Sequence, residues 1–140
     1  MSNPLITIAK TNFYELEVNQ ATNRLYSKAI GFWRSPEALA DYLADIQKAI
    51  RLLKPNFQLL NDTSELLTTP SIVQEKVIYP SVKMIQESGL AVTAIVLPKE
   101  EISKLSTTRI AGEVKRQESK LAYFANKQEA EEWLNSLLTA

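Results

Sequence analysis

Three short apolar runs constrain this chain more than any other feature: FQLLN at residues 57–61, AVTAIVL at residues 91–97 and KLAYF at residues 120–124. The first two are mostly apolar without strict alternation, which is the pattern of a strand covered on both faces. KLAYF reads as the last strand of the series. Between the runs the period changes to the three and four residues of a helix. After FQLLN a helix is expected from near Pro70, with Thr69 as its cap. It carries Ile72, Val73, Val77, Met84 and Ile85, bends at Pro80 and stops at Gly89. After AVTAIVL and Pro98, the residues Ile102, Leu105, Ile110 and Val114 give an irregular third helix. After KLAYF, Asn126 and Glu129 form a capping box, and Ala130, Trp133, Leu134, Leu137 and Leu138 form an inward stripe. Strands separated in this way by helices pair in parallel with right-handed crossovers, because a twisted strand feeding a right-handed helix packs back only that way.

The first third of the chain differs. FYELEV and RLYSKAIGF alternate in part, and the NQATN between them is polar and rich in Asn, so they read as an antiparallel hairpin. Ser35 then caps a helix, with Pro36 at its first position and Leu39, Tyr42, Leu43, Ile46, Ala49, Ile50 and Leu53 along one face. The expected fold is an α/β domain with a mixed, mostly parallel sheet opening with a hairpin. At 140 residues the chain has the length of one domain, with no linker or repeat to divide it.

Composition removes several functions. With no cysteine and no histidine, thiolate nucleophiles, imidazole bases, disulfides and the usual zinc sites are excluded. Sixteen basic residues balance sixteen acidic ones, so no net field draws in a nucleic acid. The longest apolar stretches, such as LAVTAIVL, fall far short of the roughly twenty residues that span a bilayer. The opening MSNPLITIAKTN carries no signal-like leader, and a cytoplasmic location is expected. No cofactor is expected.

The candidate site lies in LLNDTSELLTTPSIV, where an acid and five hydroxyls follow an apolar strand. Asp62, Thr63 and Ser64 read either as a small polar site at the carboxyl end of that strand or as a turn satisfying its own backbone. Thr69 and Ser71 read as a phosphate acceptor at a helix start, or as a cap and a first-turn serine. Trp33, beside Arg34, lines a pocket mouth or is buried against a helix. Tyr79, next to Pro80, marks a lid over an apolar cavity or a simple packing bend. Lys99, Lys104, Arg109, Lys115 and Arg116 read as a locally basic surface for anionic lipid heads or a nucleotide phosphate, or, being interleaved with Glu100, Glu101, Glu113 and Glu118, as a solvated face.

NRLYSKAIGFW, SPEALADYLADIQKAIRLLKPNFQLLNDTSEL, VTAIVLP and LAYFANKQEAEEWL, taken in this order, resemble the SpoIIAA-like branch of the STAS superfamily, named for sulphate transporters and anti-sigma-factor antagonists. The resemblance covers nearly the whole chain and implies a bacterial protein that acts by binding rather than by chemistry. In the anti-sigma antagonists a switch serine follows an aspartate in an Asp-Ser-Ser/Thr-Gly pattern. Leu67–Ser71 keeps the hydroxyls but lacks the preceding acid and the following glycine. Three functions remain open. The first is a module holding a small amphipathic or lipid ligand, or a membrane surface, between the bent second helix and the third, with Val77, Met84 and Ile85 in its wall. The second is a regulatory domain binding a protein partner over residues 63–71, and the third is an enzyme built on Asp62. A homodimer is compatible with each.

Overall fold

The computed structural model describes residues 5–98 and 120–138. Strand β1 (Leu5–Lys10) lies at one edge of a six-stranded sheet whose spatial order follows the chain: β2 (Tyr14–Asn19), β3 (Arg24–Gly31), β4 (Phe57–Leu66), β5 (Leu90–Val96) and β6 (Lys120–Phe124). The expected hairpin is β2 and β3, paired antiparallel in unbroken register from Tyr14↔Ala29 to Asn19↔Arg24. The sequence reading missed β1, which pairs antiparallel with β2 and turns the hairpin into a three-stranded meander. A register shift between Thr7 and Ala9 explains the miss, because an extra residue destroys the alternation by which a half-exposed edge strand is recognised. From β3 onward every pairing is parallel.

Parallel neighbours need crossovers. Helix α1 (Tyr42–Ile50) joins β3 to β4, preceded by a short 3₁₀ turn at Glu37–Leu39. Ser35 Oγ accepts from the backbone N–H of Ala38 at 3.3 Å, so the predicted cap serves the 3₁₀ turn rather than one long helix. Helix α2, residues 71–87, joins β4 to β5 and consists of α-helix Ser71–Val73, a π-helical turn Gln74–Ile78 and α-helix Tyr79–Glu87. Both crossovers step one strand in the same direction, so a common hand puts both helices on one face of the sheet. Ile46, Ala49, Val73, Val77 and Ile85 there meet Leu16, Val18, Leu25 and Leu59 in the larger core. The segment expected as a third helix, with its interleaved charges, lies outside the described residues.

Helix α3 (Lys127–Leu138) covers the opposite face, where Ala130 and Leu134 pack on Leu60, Val92, Ala94 and Val96. Asn126 Oδ1 accepts from the N–H of Glu129 at 2.9 Å, one of the two bonds of the expected capping box. Of the expected stripe only Leu138 points outward. Gly89 ends α2 at φ +106°, and a Cβ there would lie 2.9 Å from the Pro55 Cα, so the turn needs both the left-handed backbone and the missing side chain.

Helix α3 is tied down by a buried cation. Arg24 is 1% exposed; its Nε donates to Gln58 Oε1 at 2.8 Å, one terminal nitrogen to the Tyr26 hydroxyl at 3.0 Å and the other to Asn135 Oδ1 at 2.7 Å. Gln58 Nε2 in turn donates to the Leu134 carbonyl at 2.9 Å. Three elements thus share one hydrogen-bonded group. Arg24→Met keeps the aliphatic stem but leaves buried Gln58 short of a partner, and we expect it to cost about 3 kcal/mol, on the scale of hydrogen bonds to a charged donor. Urea unfolding measures the loss; a value under about 1 kcal/mol would show that apolar packing alone holds α3.

Candidate functional site

Strand β4 was expected to end at Asn61, with Asp62, Thr63 and Ser64 forming a turn. It runs on to Leu66, because β3 offers hydrogen bonds along its whole length and the pairing outweighs the weak strand preference of Asn and Asp. Lys28 pairs with Asp62 and Ile30 with Glu65, so one extra residue is accommodated at Thr63 and Ser64. Asp62 Oδ1 accepts from the Ser64 N–H at 2.9 Å and satisfies the backbone at this bulge.

The bulge separates the residues expected to act together. Asp62 lies on the α3 side of the sheet beside Glu15, Glu17, Tyr26, Lys28 and Lys127, around a depression of about 30 Å³. Glu65 joins that side, accepting from Lys28 Nζ at 2.7 Å. This hydrogen bond holds the Lys28 pKa above its ordinary value, with the Glu65, Asp62 and Glu15 charges adding to it. Thr63 points the other way, is buried, and its hydroxyl donates to the Val96 carbonyl at 2.6 Å. Without the extra residue Leu66 would share the Asp62 side; with it, Leu66 turns toward α2.

On that α2 side the structure holds a cavity of about 100 Å³. Its floor is Ser27 and Ala29 from β3, Leu59, Asn61, Thr63 and Leu66 from β4, and Thr93 and Ile95 from β5. Its roof is Trp33, Tyr42 from α1, and Ile78, Ser81, Val82 and Ile85 from α2. The π turn makes this roof. Tyr79 N–H bonds back five residues to the Gln74 carbonyl, so one residue is added to the turn, and both Val77 and Ile78 face inward where a regular helix would present one. The irregularity expected at Pro80 therefore begins a turn earlier, ahead of the proline, whose ring cannot donate to a preceding carbonyl.

Trp33 is buried. Its Nε1 donates to the Phe13 carbonyl at 2.7 Å, and its ring meets Tyr42 edge-on at 5.0 Å and Tyr14 at 6.4 Å. The Tyr14 hydroxyl donates to Asp45 Oδ2 at 2.7 Å. Of the other expected site residues, Met84 packs on the core beside the cavity and Tyr79 is exposed on the outer face of α2; neither lines the cavity. Thr69 is buried, and its hydroxyl and carbonyl accept from the Gln74 side-chain amide at 3.2 and 3.1 Å, so it holds the start of α2 by a side-chain bond rather than as the expected cap. Pro70 occupies the cap position. Ser71 is exposed at the first turn. The polar wall residues Ser27, Tyr42, Asn61, Ser81 and Thr93 were not foreseen. One signal was available: Thr93 is the single hydroxyl inside AVTAIVL, and a polar residue in a strand buried on both faces calls for an explanation.

Among the described residues no group of three or more acids is placed to hold a metal ion, and no helix is long and apolar enough to cross a membrane. The fold is SpoIIAA-like. A solved structure of an uncharacterized protein from the DUF3478 family with a SpoIIAA-like fold, from Shewanella loihica PV-4, superposes with a TM-score of 0.57 at 18% identity, covering 90% of this chain and 97% of that one. Apo-SiaC from Pseudomonas aeruginosa superposes with a TM-score of 0.52 at 14% identity, covering 89% of this chain and 100% of that one. No family model matches the sequence, and no curated protein matches it.

Burial raises the pKa of Tyr42 above the ordinary 10.0, and hydrogen bonds with Ser27 and Ser81 pull it partly back. Burial likewise raises Tyr14, with the Asp45 hydrogen bond adding to it, and raises Tyr26 against the opposing Arg24. The folded chain thus keeps these phenols neutral where the unfolded chain ionises them. Their stabilisation is complete below pH 10.0 and is lost as the pH rises through the higher folded values. We expect alkaline unfolding to coincide with phenolate absorbance, and Tyr42→Phe to flatten the fall of stability above pH 10.0.

Proposed function

We propose that this protein works by binding and not by chemistry, and that the cavity between the sheet and α2 takes a small, mostly apolar molecule. The observation that carries this reading is the cavity itself, about 100 Å³ of partly open space lined by Leu59, Ile78, Val82, Ile85, Trp33 and Tyr42. Interiors are packed nearly as densely as organic crystals, and a void of this size forgoes contacts on every wall. A site explains why the sequence tolerates it. Among the described residues no Asp, Glu, Lys or Arg lines the wall, which leaves little there for acid and base catalysis. The acyl tail of a membrane lipid is far larger than the space, since even drug-sized ligands occupy roughly 300 Å³ or more. The lipid and membrane-surface forms of the reading rank behind a compact ligand for that reason.

Native mass spectrometry of the purified full chain, with thermal shifts against a library of small apolar compounds, tests this. We expect a retained or added mass and a raised Tm. Ala29→Leu, which fills the cavity floor, should abolish both while keeping the fold by circular dichroism. No adduct and no thermal shift in the unsubstituted protein would end the reading.

A second reading, a regulatory surface for a protein partner, is favoured by a separate observation. Phe32, Leu67 and Ile72 are large apolar residues left 48%, 42% and 42% exposed around the start of α2, and the Leu67 N–H bonds to the Gly31 carbonyl at 2.9 Å to bring two of their segments together. Ser71 and Thr68 are exposed hydroxyls there, and of the two Ser71 lies in the first turn of α2, whereas Thr69 is closed off by Gln74. Phosphate on Ser71 would meet the positive end of α2. Capture from host lysate should recover a partner with the unsubstituted chain and not with Leu67→Glu, and phosphopeptide mapping should find Ser71 and not Thr69. Equal capture by both proteins would count against this surface.

A further inference from the structure

A buried polar atom without a partner is rare in a folded protein, and each instance calls for a reason. The polar residues on the inner strands mostly find theirs within the fold: Gln58 bonds to Arg24 and Leu134, and Thr63 to Val96. Thr93 does not. It is 3% exposed, and its Oγ1 has no hydrogen-bond partner. Thr22 Oγ1 is also unpartnered, but it lies in the turn before β3 and lines neither this cavity nor the depression beside Asp62. Thr93 stands next to Leu59 across the β4–β5 pairing and faces the cavity. Asn61, two residues further along β4, also lines it, and its half-buried side-chain amide makes no hydrogen bond among the described residues.

The cavity thus has one wall that asks for hydrogen bonds and others that do not. Leu59, Leu66, Val82, Ile85, Leu90 and Ile95 supply apolar contact. Among the described residues no ionised side chain lines the cavity to compensate a charged ligand, which would lose its hydration without replacement. A dry cavity of roughly 150 Å³ holds benzene, so about 100 Å³ suits a molecule of about four or five non-hydrogen atoms.

Resting on the reading of this cavity as a ligand site, we infer that its ligand is a neutral short-chain carbonyl or hydroxyl compound whose polar head bonds to Thr93 Oγ1 and the Asn61 amide. Thr93 is then the residue that sets specificity. Its hydroxyl can donate to a carbonyl or accept from an alcohol, and Asn61 offers both functions as well. An apolar molecule of the same shape leaves both groups unsatisfied.

Butan-2-one, isopentane and isobutyrate are similar in bulk and differ in the head they present. Each is titrated into the full chain while NMR follows the methyls of Leu59, Ile85 and Ile95 and the amide of Thr93. We expect butan-2-one to bind about fivefold or more tightly than isopentane, the ratio one added hydrogen bond produces, and isobutyrate not to bind at neutral pH. Thr93→Val keeps the branched shape; it should erase the preference, leave isopentane binding intact and raise the Tm by removing an unpaired hydroxyl. Equal binding of butan-2-one and isopentane, an unchanged preference in Thr93→Val, or tightest binding of isobutyrate would each overturn this inference while leaving the cavity a ligand site. If none of the three, nor xenon, disturbs these signals, the ligand reading fails and this inference with it.

Discussion

Strand β4 has sheet neighbours on both sides and helices over both faces, and the rest of the structure follows from that position. Phe57, Gln58, Leu59 and Leu60 are all buried in succession. No alternating strand could occupy such a place, because half its residues would be polar groups facing apolar helices. The parallel pairing to β3 and β5 forces crossover connections, the crossovers supply α1 and α2 to one face, and α3 closes the other. The meander of β1, β2 and β3 extends the sheet to one side and puts Leu16 and Val18 under α1.

A strand enclosed in this way makes every polar residue on the central strands a separate problem. Gln58 is answered from the α3 side by Arg24 and the Leu134 carbonyl, which fastens the last helix to the sheet. Thr63 is answered within the sheet by Val96. Lys28 finds Glu65 at the sheet surface, where solvent shares the work. Thr93 has no such answer among the described residues, and it faces the void under the π turn beside half-buried Asn61. The packing defect and the unpartnered Thr93 hydroxyl coincide, and that coincidence is what supports the proposed ligand site. The residues around it, Trp33 and Tyr42 among them, also hold the helices to the sheet. A ligand there would stabilise the folded state over the unfolded one and stiffen α2 against the sheet.

Much of this fold could be read along the chain. FQLLN, AVTAIVL and KLAYF are strands, the hairpin stands where FYELEV and RLYSKAIGF put it, and Ser35, Gly89 and Asn126 mark turns and helix ends, because caps and periods are local properties of a few neighbouring residues. β1 was invisible because a bulge interrupts its alternation. The second half of β4 was invisible because Asn61, Asp62, Thr63 and Ser64 look like a turn, and only the hydrogen bonds offered by β3 make them strand. The site was less legible than the fold. Trp33 and Thr63 do line the cavity, but Asp62 faces away, Tyr79 and Met84 do not line it, and Thr69 is engaged with Gln74.

The sequence by itself determined the order of the described elements from β2 onward, the parallel character of the sheet's second half and the absence of imidazole and thiol chemistry. Each of these depends on residue type and spacing over short stretches, or on composition alone. Only the tertiary structure decided which polar residues meet. One extra residue at Thr63 and Ser64 sends Asp62 and Glu65 to one face and Thr63 and Leu66 to the other, and one extra residue in the turn of α2 brings Ile78 inward beside Val77. Such insertions take their meaning from the partner strand and the packing above it, so the cavity exists only where β3, β4, β5, α1 and α2 have come together.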